Sequence, residues 1–174
     1  WRMFGGAENY VRDSAASVFI IGYIPLLASF VGLILAEQHG VAKTVAVFVC
    51  IVASDVGGYA AGASIGKHPM APNISPKKTW EGMAGSVVLA SAFGIGLSVW
   101  VLHQAWWFGL ILAVVVVFAG TAGDLIESLI KRDVGIKDMS SILPGHGGVM
   151  DRLDSTLVAA PAAWLVFVLA GINW

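Results

Sequence analysis

The chain has 174 residues, of which 57% are hydrophobic and 12% charged, and its mean hydropathy is +0.82. A soluble domain carries about 25% charged residues, so this composition excludes an ordinary soluble protein and points to one that crosses a bilayer. The formal net charge of −1 gives no overall electrostatic bias, and the single cysteine, Cys50, excludes an intrachain disulfide.

Residues 1–13 are mixed and polar. Arg2, Glu8, Arg12 and Asp13 call for water or an interface, and Trp1, Phe4 and Tyr10 suit the headgroup layer. They read as an interfacial connector ahead of a transmembrane domain over 14–174. The chain starts at Trp1 without the apolar core of a signal peptide, which reads as part of a longer protein. Residues 14–36 contain no Asp, Glu, Lys or Arg. At about 1.5 Å per residue they cover roughly 34 Å, enough to cross the hydrocarbon core. Pro25 is expected to kink this span, and residues 37–40, with His39, form a short turn.

A second span is expected over 41–66. Its first half is apolar, and it changes character at Asp55, a carboxylate with about ten uncharged residues on either side. A charge at that depth costs about 2.5–3.5 kcal/mol, so Asp55 should face the protein interior or water. Gly58, Gly62 and Gly66 recur every fourth residue, which permits a close helix contact. Residues 67–81 are polar and carry three prolines, which forbid a regular helix through most of the segment. Lys77 and Lys78 stand just before the next helix, where they could attract phosphate; their bland role is to mark the cytoplasmic side. Third and fourth spans follow over 82–102 and 106–132, with Trp100, Trp106 and Trp107 bracketing the turn at His103 like an interfacial belt. A fifth is expected over 148–172, bent at Pro161.

The last third of the fourth span is chemical rather than inert. Asp124, Ser128 and Lys131 share one helical face, with Glu127 beside them. The stretch from Ser128 to Asp154 gathers Lys131, Arg132, Asp133, Lys137, Asp138, Asp151, Arg152 and Asp154 around a Pro144-Gly145-His146-Gly147-Gly148 turn. Carboxylates from two helices, Asp124 and Asp151, suit Mg²⁺ held by one or two carboxylates with phosphates and water completing its shell. Lys131 and Arg132 could neutralise phosphate, and the glycine turn would let backbone N–H groups approach an anion. Such parts serve phosphoryl or nucleotidyl transfer. The competing reading is an interfacial salt-bridge cluster, which fits Asp133 and Asp138 better than Asp124 or Asp151.

Five spans put 1–13, 67–81 and 133–152 on one side, together with nine of the ten Lys and Arg residues, Lys43 being the exception. By the positive-inside rule that side is cytoplasmic. The expected fold is therefore an all-α integral membrane protein with about five transmembrane helices and a cytoplasm-facing polar cavity, multi-pass in the cytoplasmic membrane.

The stretch Ser128–Asp154 resembles the signature of the phosphatidate cytidylyltransferases, or CDP-diacylglycerol synthases. The likeness rests on Ser128, Lys131-Arg132, Lys137-Asp138, Ser140, Leu143-Pro144, His146-Gly147-Gly148, and Asp151-Arg152 with Asp154. Ser75-Pro76-Lys77-Lys78-Thr79 with Glu81-Gly82, and Gly123-Asp124-Leu125 with Glu127-Ser128, are similar to the same family. Family members are longer, with further N-terminal spans. The resemblance implies transfer of CMP from CTP to phosphatidic acid, giving CDP-diacylglycerol and pyrophosphate. It also implies a divalent metal such as Mg²⁺ on Asp124 and Asp151, with K⁺ nearby. Catalytic roles would fall on Asp124, Asp151, Lys131 and Ser128. Substrate contacts would come from Lys77, Lys78, Arg132, His146, Gly147, Gly148, Arg152, Asp154 and Asp55. The partners it implies are CTP, phosphatidic acid, membrane lipids and a second copy in a homodimer, with no nucleic acid. The alternatives are a CTP-dependent lipid-alcohol kinase and an ion-coupled transporter using Asp55 and Asp124.

Overall fold

The computed structural model describes residues 8–136 and 150–171, with the backbone alone at 151 and 152. Helices dominate. The first crossing is built from α1 (Tyr10–Ile21), a π-turn (Gly22–Leu26) and α2 (Leu27–Ala36). It is followed by α3 (Gly40–Ile65), α4 (Trp80–Trp100), α5 (Trp106–Val134) and α6 (Met150–Leu169). Four of these crossings are long and apolar enough to span a membrane, and α6 adds a shorter apolar stretch, Leu153–Leu169. Helix is the form this sequence must take in lipid, because each backbone N–H then finds its carbonyl within the same segment. The first helix starts within the expected connector, at Tyr10. Pro25 lies inside the π-turn, so the irregularity expected there takes the form of a widened turn, which absorbs the lost N–H.

The proline-rich loop is not irregular throughout. It folds as an antiparallel hairpin of β1 (Pro69–Ala71) and β2 (Ser75–Thr79), pairing Pro69 with Thr79 and Ala71 with Ser75. Pro69 and Pro76 can sit in such strands because a two-stranded hairpin has free edges that need no N–H.

Without a hydrophobic force between helices in lipid, packing relies on close backbone approach. Helix α3 packs most extensively on α4. A Cβ added at Gly57 would lie 2.5 Å from the Gly85 carbonyl oxygen, and one at Gly58 2.5 Å from Ser86 Oγ. Ser86 Oγ donates to the Ser54 carbonyl at 2.6 Å, so the seam is both tight and hydrogen-bonded. Of the glycines that the sequence offered for packing, Gly58 and Gly62 face Gly82 of α4, whereas Gly66 lies past the end of α3 against Thr79.

The apolar core occupies one half of the bundle. Val47, Cys50, Phe108, Leu112, Ala163 and Phe167 are all buried there, on the first halves of α3 and α5 and the second half of α6. Phe108 and Phe167 meet with ring centroids 5.8 Å apart, and Phe30 of α2 meets Trp164 of α6 edge-on at 5.3 Å. At this end Lys43 is 1% exposed, 2.6 Å from Glu37 and 5.5 Å from the centre of the Phe167 ring. The one basic residue that topology assigned to the far side is thus buried in the fold.

Candidate active site

The other half of the bundle is hollow. A cavity of about 520 Å³ lies between α3, α4, α5 and the start of α6, beside the hairpin. Ile51 and Val116 belong both to its wall and to the apolar core, so the core is its floor. Six predicted site residues line it: Asp55, Lys77, Lys78, Asp124, Lys131 and Asp154.

Each arrives by a different route. Asp55 projects from α3 on the same face as Ser54, Gly58 and Tyr59, which also line the cavity. Asp55 thus borders the hollow, the polar surroundings that a charge within a span calls for. Lys77 and Lys78 come from β2. Thr79 follows them and ends the strand by capping α4, its Oγ1 accepting the Gly82 N–H at 3.1 Å. Asp124 is on α5 immediately after Gly123. A Cβ at Gly123 would lie 2.5 Å from the Asp154 carbonyl oxygen, so glycine here lets α5 and α6 cross closely and brings the two aspartates to one wall. Asp154 accepts the Ser155 N–H at 2.6 Å.

The charges are interlocked. Lys78 pairs with Asp124 and donates to the Thr121 carbonyl at 3.5 Å. Lys131 Nζ is 2.8 Å from Glu127 Oε1, an i, i+4 pair in which the Glu127 side chain is fully buried. Lys131 comes from one end of α5 but reaches the cavity on its long stem. Ser128 lies on the same helix, half-buried and outside the lining. Arg132 is exposed and also outside it. His146, Gly147 and Gly148 fall outside the described residues, as do the side chains of Asp151 and Arg152. The backbone of α6 places Asp151 one turn before Asp154.

Sequence reasoning did not single out the hydroxyls of Ser54, Thr121 and Ser155, or Tyr59, as site residues, yet all four line the cavity. Adjacency was a usable signal: Ser54 precedes Asp55 and Ser155 follows Asp154. Glu127 was placed beside Asp124 by periodicity, but only the fold gives its complete burial.

Among the described residues no group of three or more His, Cys, Asp or Glu could hold a metal ion, so those residues form no closed metal cage. The wall instead offers hard oxygen donors, with the Asp124 carboxylate already engaged by a cation. This suits an oxygen-preferring ion such as Mg²⁺, which binds through one or two carboxylates and keeps water and substrate phosphates in its shell. Acids and lysines facing one another across a half-polar hollow can bind a polyanion and stabilise charge that moves between its oxygens.

A model of the cytidylyltransferase family matches residues 2–170. The chain belongs to the cytidylyltransferase family. Among curated relatives, a phosphatidate cytidylyltransferase of Mycobacterium leprae is 47% identical over 93% of this chain and 52% of its own length. The protein of that name from Mycobacterium bovis is 44% identical over 97% of the chain and 60% of its own length. Another from Pseudomonas aeruginosa is 42% identical over 88% and 56%. The chain thus spans about half the length of the curated relatives it matches. The match runs through α1 to α6, including the hairpin and the cavity walls.

Proposed function

We propose that this chain forms the catalytic part of an enzyme that transfers CMP from CTP to phosphatidic acid, giving CDP-diacylglycerol and pyrophosphate. The observation that carries the reading is the gathering of three aspartates and three lysines, from four separate elements, around one cavity in a member of this family. A phosphatidate phosphate oxygen attacks the α-phosphorus of CTP. The new P–O bond forms as the bond to the β-phosphate bridging oxygen breaks, and pyrophosphate leaves with that electron pair. Lys77, Lys78 and Lys131 hold the phosphates and offset the charge that builds on the leaving group. Ser54, Thr121 and Ser155 supply short hydroxyl donors for non-bridging oxygens. Asp124 and Glu127 pair with Lys78 and Lys131, and Asp55 and Asp154, which line the cavity beside them, exclude a second anion from the wrong position. Asp124 and Asp151 would hold Mg²⁺, which when bound neutralises phosphate charge that the lysines leave uncovered.

The cavity lies at the hairpin end, with Lys67, Lys77, Lys78, Lys131 and Arg132, and we assign that end to the cytoplasm by the positive-inside rule. CTP then enters from the aqueous side. Phosphatidic acid enters from the bilayer beside α3, where Val52, Val56 and Tyr59 are exposed next to Asp55.

The test is a reconstitution in nanodiscs with phosphatidic acid, labelled CTP and Mg²⁺, following CDP-diacylglycerol and pyrophosphate. Both products are expected, and both should vanish in Asp124→Asn, in Asp151→Asn and with chelator. Formation of CDP and a phosphorylated lipid alcohol would overturn the proposal in favour of a kinase. So would the absence of both products from this chain and from a longer one covering the full length of its relatives.

A further inference from the structure

Lys77 and Lys78 reach the cavity from a short hairpin, and the feature that fixes the hairpin lies at its base, outside the cavity lining. Glu81 is the second residue of α4. Its Oε2 accepts the backbone N–H groups of Lys67 and His68, each at 3.2 Å, and its Oε1 is 2.5 Å from His68 Nδ1. The Trp80 N–H donates to the His68 carbonyl at 3.0 Å. A carboxylate in the first turn of a helix is favoured by the helix dipole whichever way it points. This one turns back across the hairpin and gathers three donors from the segment that enters β1.

The consequence is register. Lys78 lies three residues before Glu81, and its ammonium bridges from β2 to Asp124 and Thr121 on α5. A slip of β2 by one residue moves each side chain about 3.3 Å and turns it to the opposite face, which would withdraw Lys78 from Asp124. The Pro69–Thr79 pairing, after which the register shifts before Ala71 meets Ser75, begins immediately after the two N–H groups that Glu81 holds. We propose that Glu81 is a positioning residue: by clamping Lys67 and His68 to the start of α4, it sets the register in which Lys77 and Lys78 grip the phosphates of the nucleotide. This rests on the reading of the cavity as a CTP site.

The test compares the wild-type protein with Glu81→Gln, His68→Ala and His68→Asn in nanodiscs, by hydrogen exchange over 67–80 and by steady-state kinetics. Glu81→Gln keeps one amide oxygen for the two backbone donors but loses the negative charge that strengthens those bonds and the second oxygen that faces His68 Nδ1. Exchange over 67–80 should quicken about tenfold while the helices stay protected. The KM for CTP should rise about 5–10-fold with kcat within about twofold, the pattern for a lost grip that is equal in ground and transition states. The KM for phosphatidic acid should not move. His68→Ala should show a smaller change in the same direction, and His68→Asn should reverse most of it, because its amide nitrogen can donate where Nδ1 does. Unchanged exchange in Glu81→Gln would overturn the proposal, as would a fall in kcat at constant KM, which is the mark of fewer folded molecules. If the wild-type protein made no CDP-diacylglycerol, the functional reading would fail separately, and the exchange comparison would still decide whether Glu81 holds the hairpin.

Discussion

Two lysine–carboxylate pairs stand at opposite ends of the bundle, and they differ in what surrounds them. Lys43 and Glu37 are 2.6 Å apart with the lysine side chain 2% exposed, sealed by the Phe167 ring and the apolar core. Lys78 and Asp124 form the same chemical pair, but their side chains are 23% and 39% exposed and both line the cavity. In the first pair the lysine is enclosed, while Glu37 keeps 27% of its side chain exposed. On the proposed reading the second exchanges partners, an incoming phosphate taking the lysine and a cation the aspartate. Burial of a charge therefore does not separate the two pairs by itself, whereas access to the hollow does.

The comparison is easiest to break through activity. Asp124→Asn should lower CDP-diacylglycerol formation by about 10³-fold while leaving the thermal midpoint in detergent nearly unchanged, since the side chain is partly open. A large loss of stability instead would mean that Asp124 belongs with Glu37 as a structural anchor. Next in size is Lys43→Met, expected to destabilise the fold by about 1–3 kcal/mol because it removes a charge-assisted bond whose remaining partner, Glu37, is 27% exposed. Denaturation in mixed micelles would read that loss, and Glu37→Gln added to it should recover much of it. The KM for CTP in the folded fraction should stay constant. Lys78→Ala should raise that KM about tenfold with little effect on stability, and titration of CTP in the nanodisc assay decides it. The smallest effect should come from Ser128→Ala. Ser128 lies outside the cavity lining, so its kcat/KM should fall less than about threefold; a loss near that of Asp124→Asn would return Ser128 to the catalytic set.

Much of this arrangement was legible because lipid allows few solutions. Uncharged runs of the right length must be helices, and the observed helix ends fall close to the expected ones. That Asp55, Asp124 and Asp154 line a cavity was legible for a related reason, since a carboxylate near hydrocarbon needs a compensating environment. What was not legible depended on tertiary placement. The prolines of 67–81 argue against helix but do not reveal a hairpin, nor that the residues entering it bond to a glutamate beyond its end. Ser128 and Lys131 look equivalent on a helical wheel, yet side-chain length separates them: the lysine reaches the cavity and the serine does not. The Lys43–Glu37 pair was hidden because its partners lie in different elements, one in a turn and one in a helix, with nothing periodic to connect them.

The π-turn at Gly22–Leu26 gives the first crossing an unusual tolerance of length. Each residue of an α-helix turns the chain by about 100°, and a π-turn accommodates one residue more than an α-helical turn would. The extra residue is therefore absorbed locally, and Phe30 still meets Trp164. Removing one residue from 22–26 would let the joint close as an α-helical turn and leave the faces on either side of it in place, whereas the same deletion in the regular part of α2 would swing the residues beyond it by about 100°. At this point in the chain a deletion is absorbed rather than passed on.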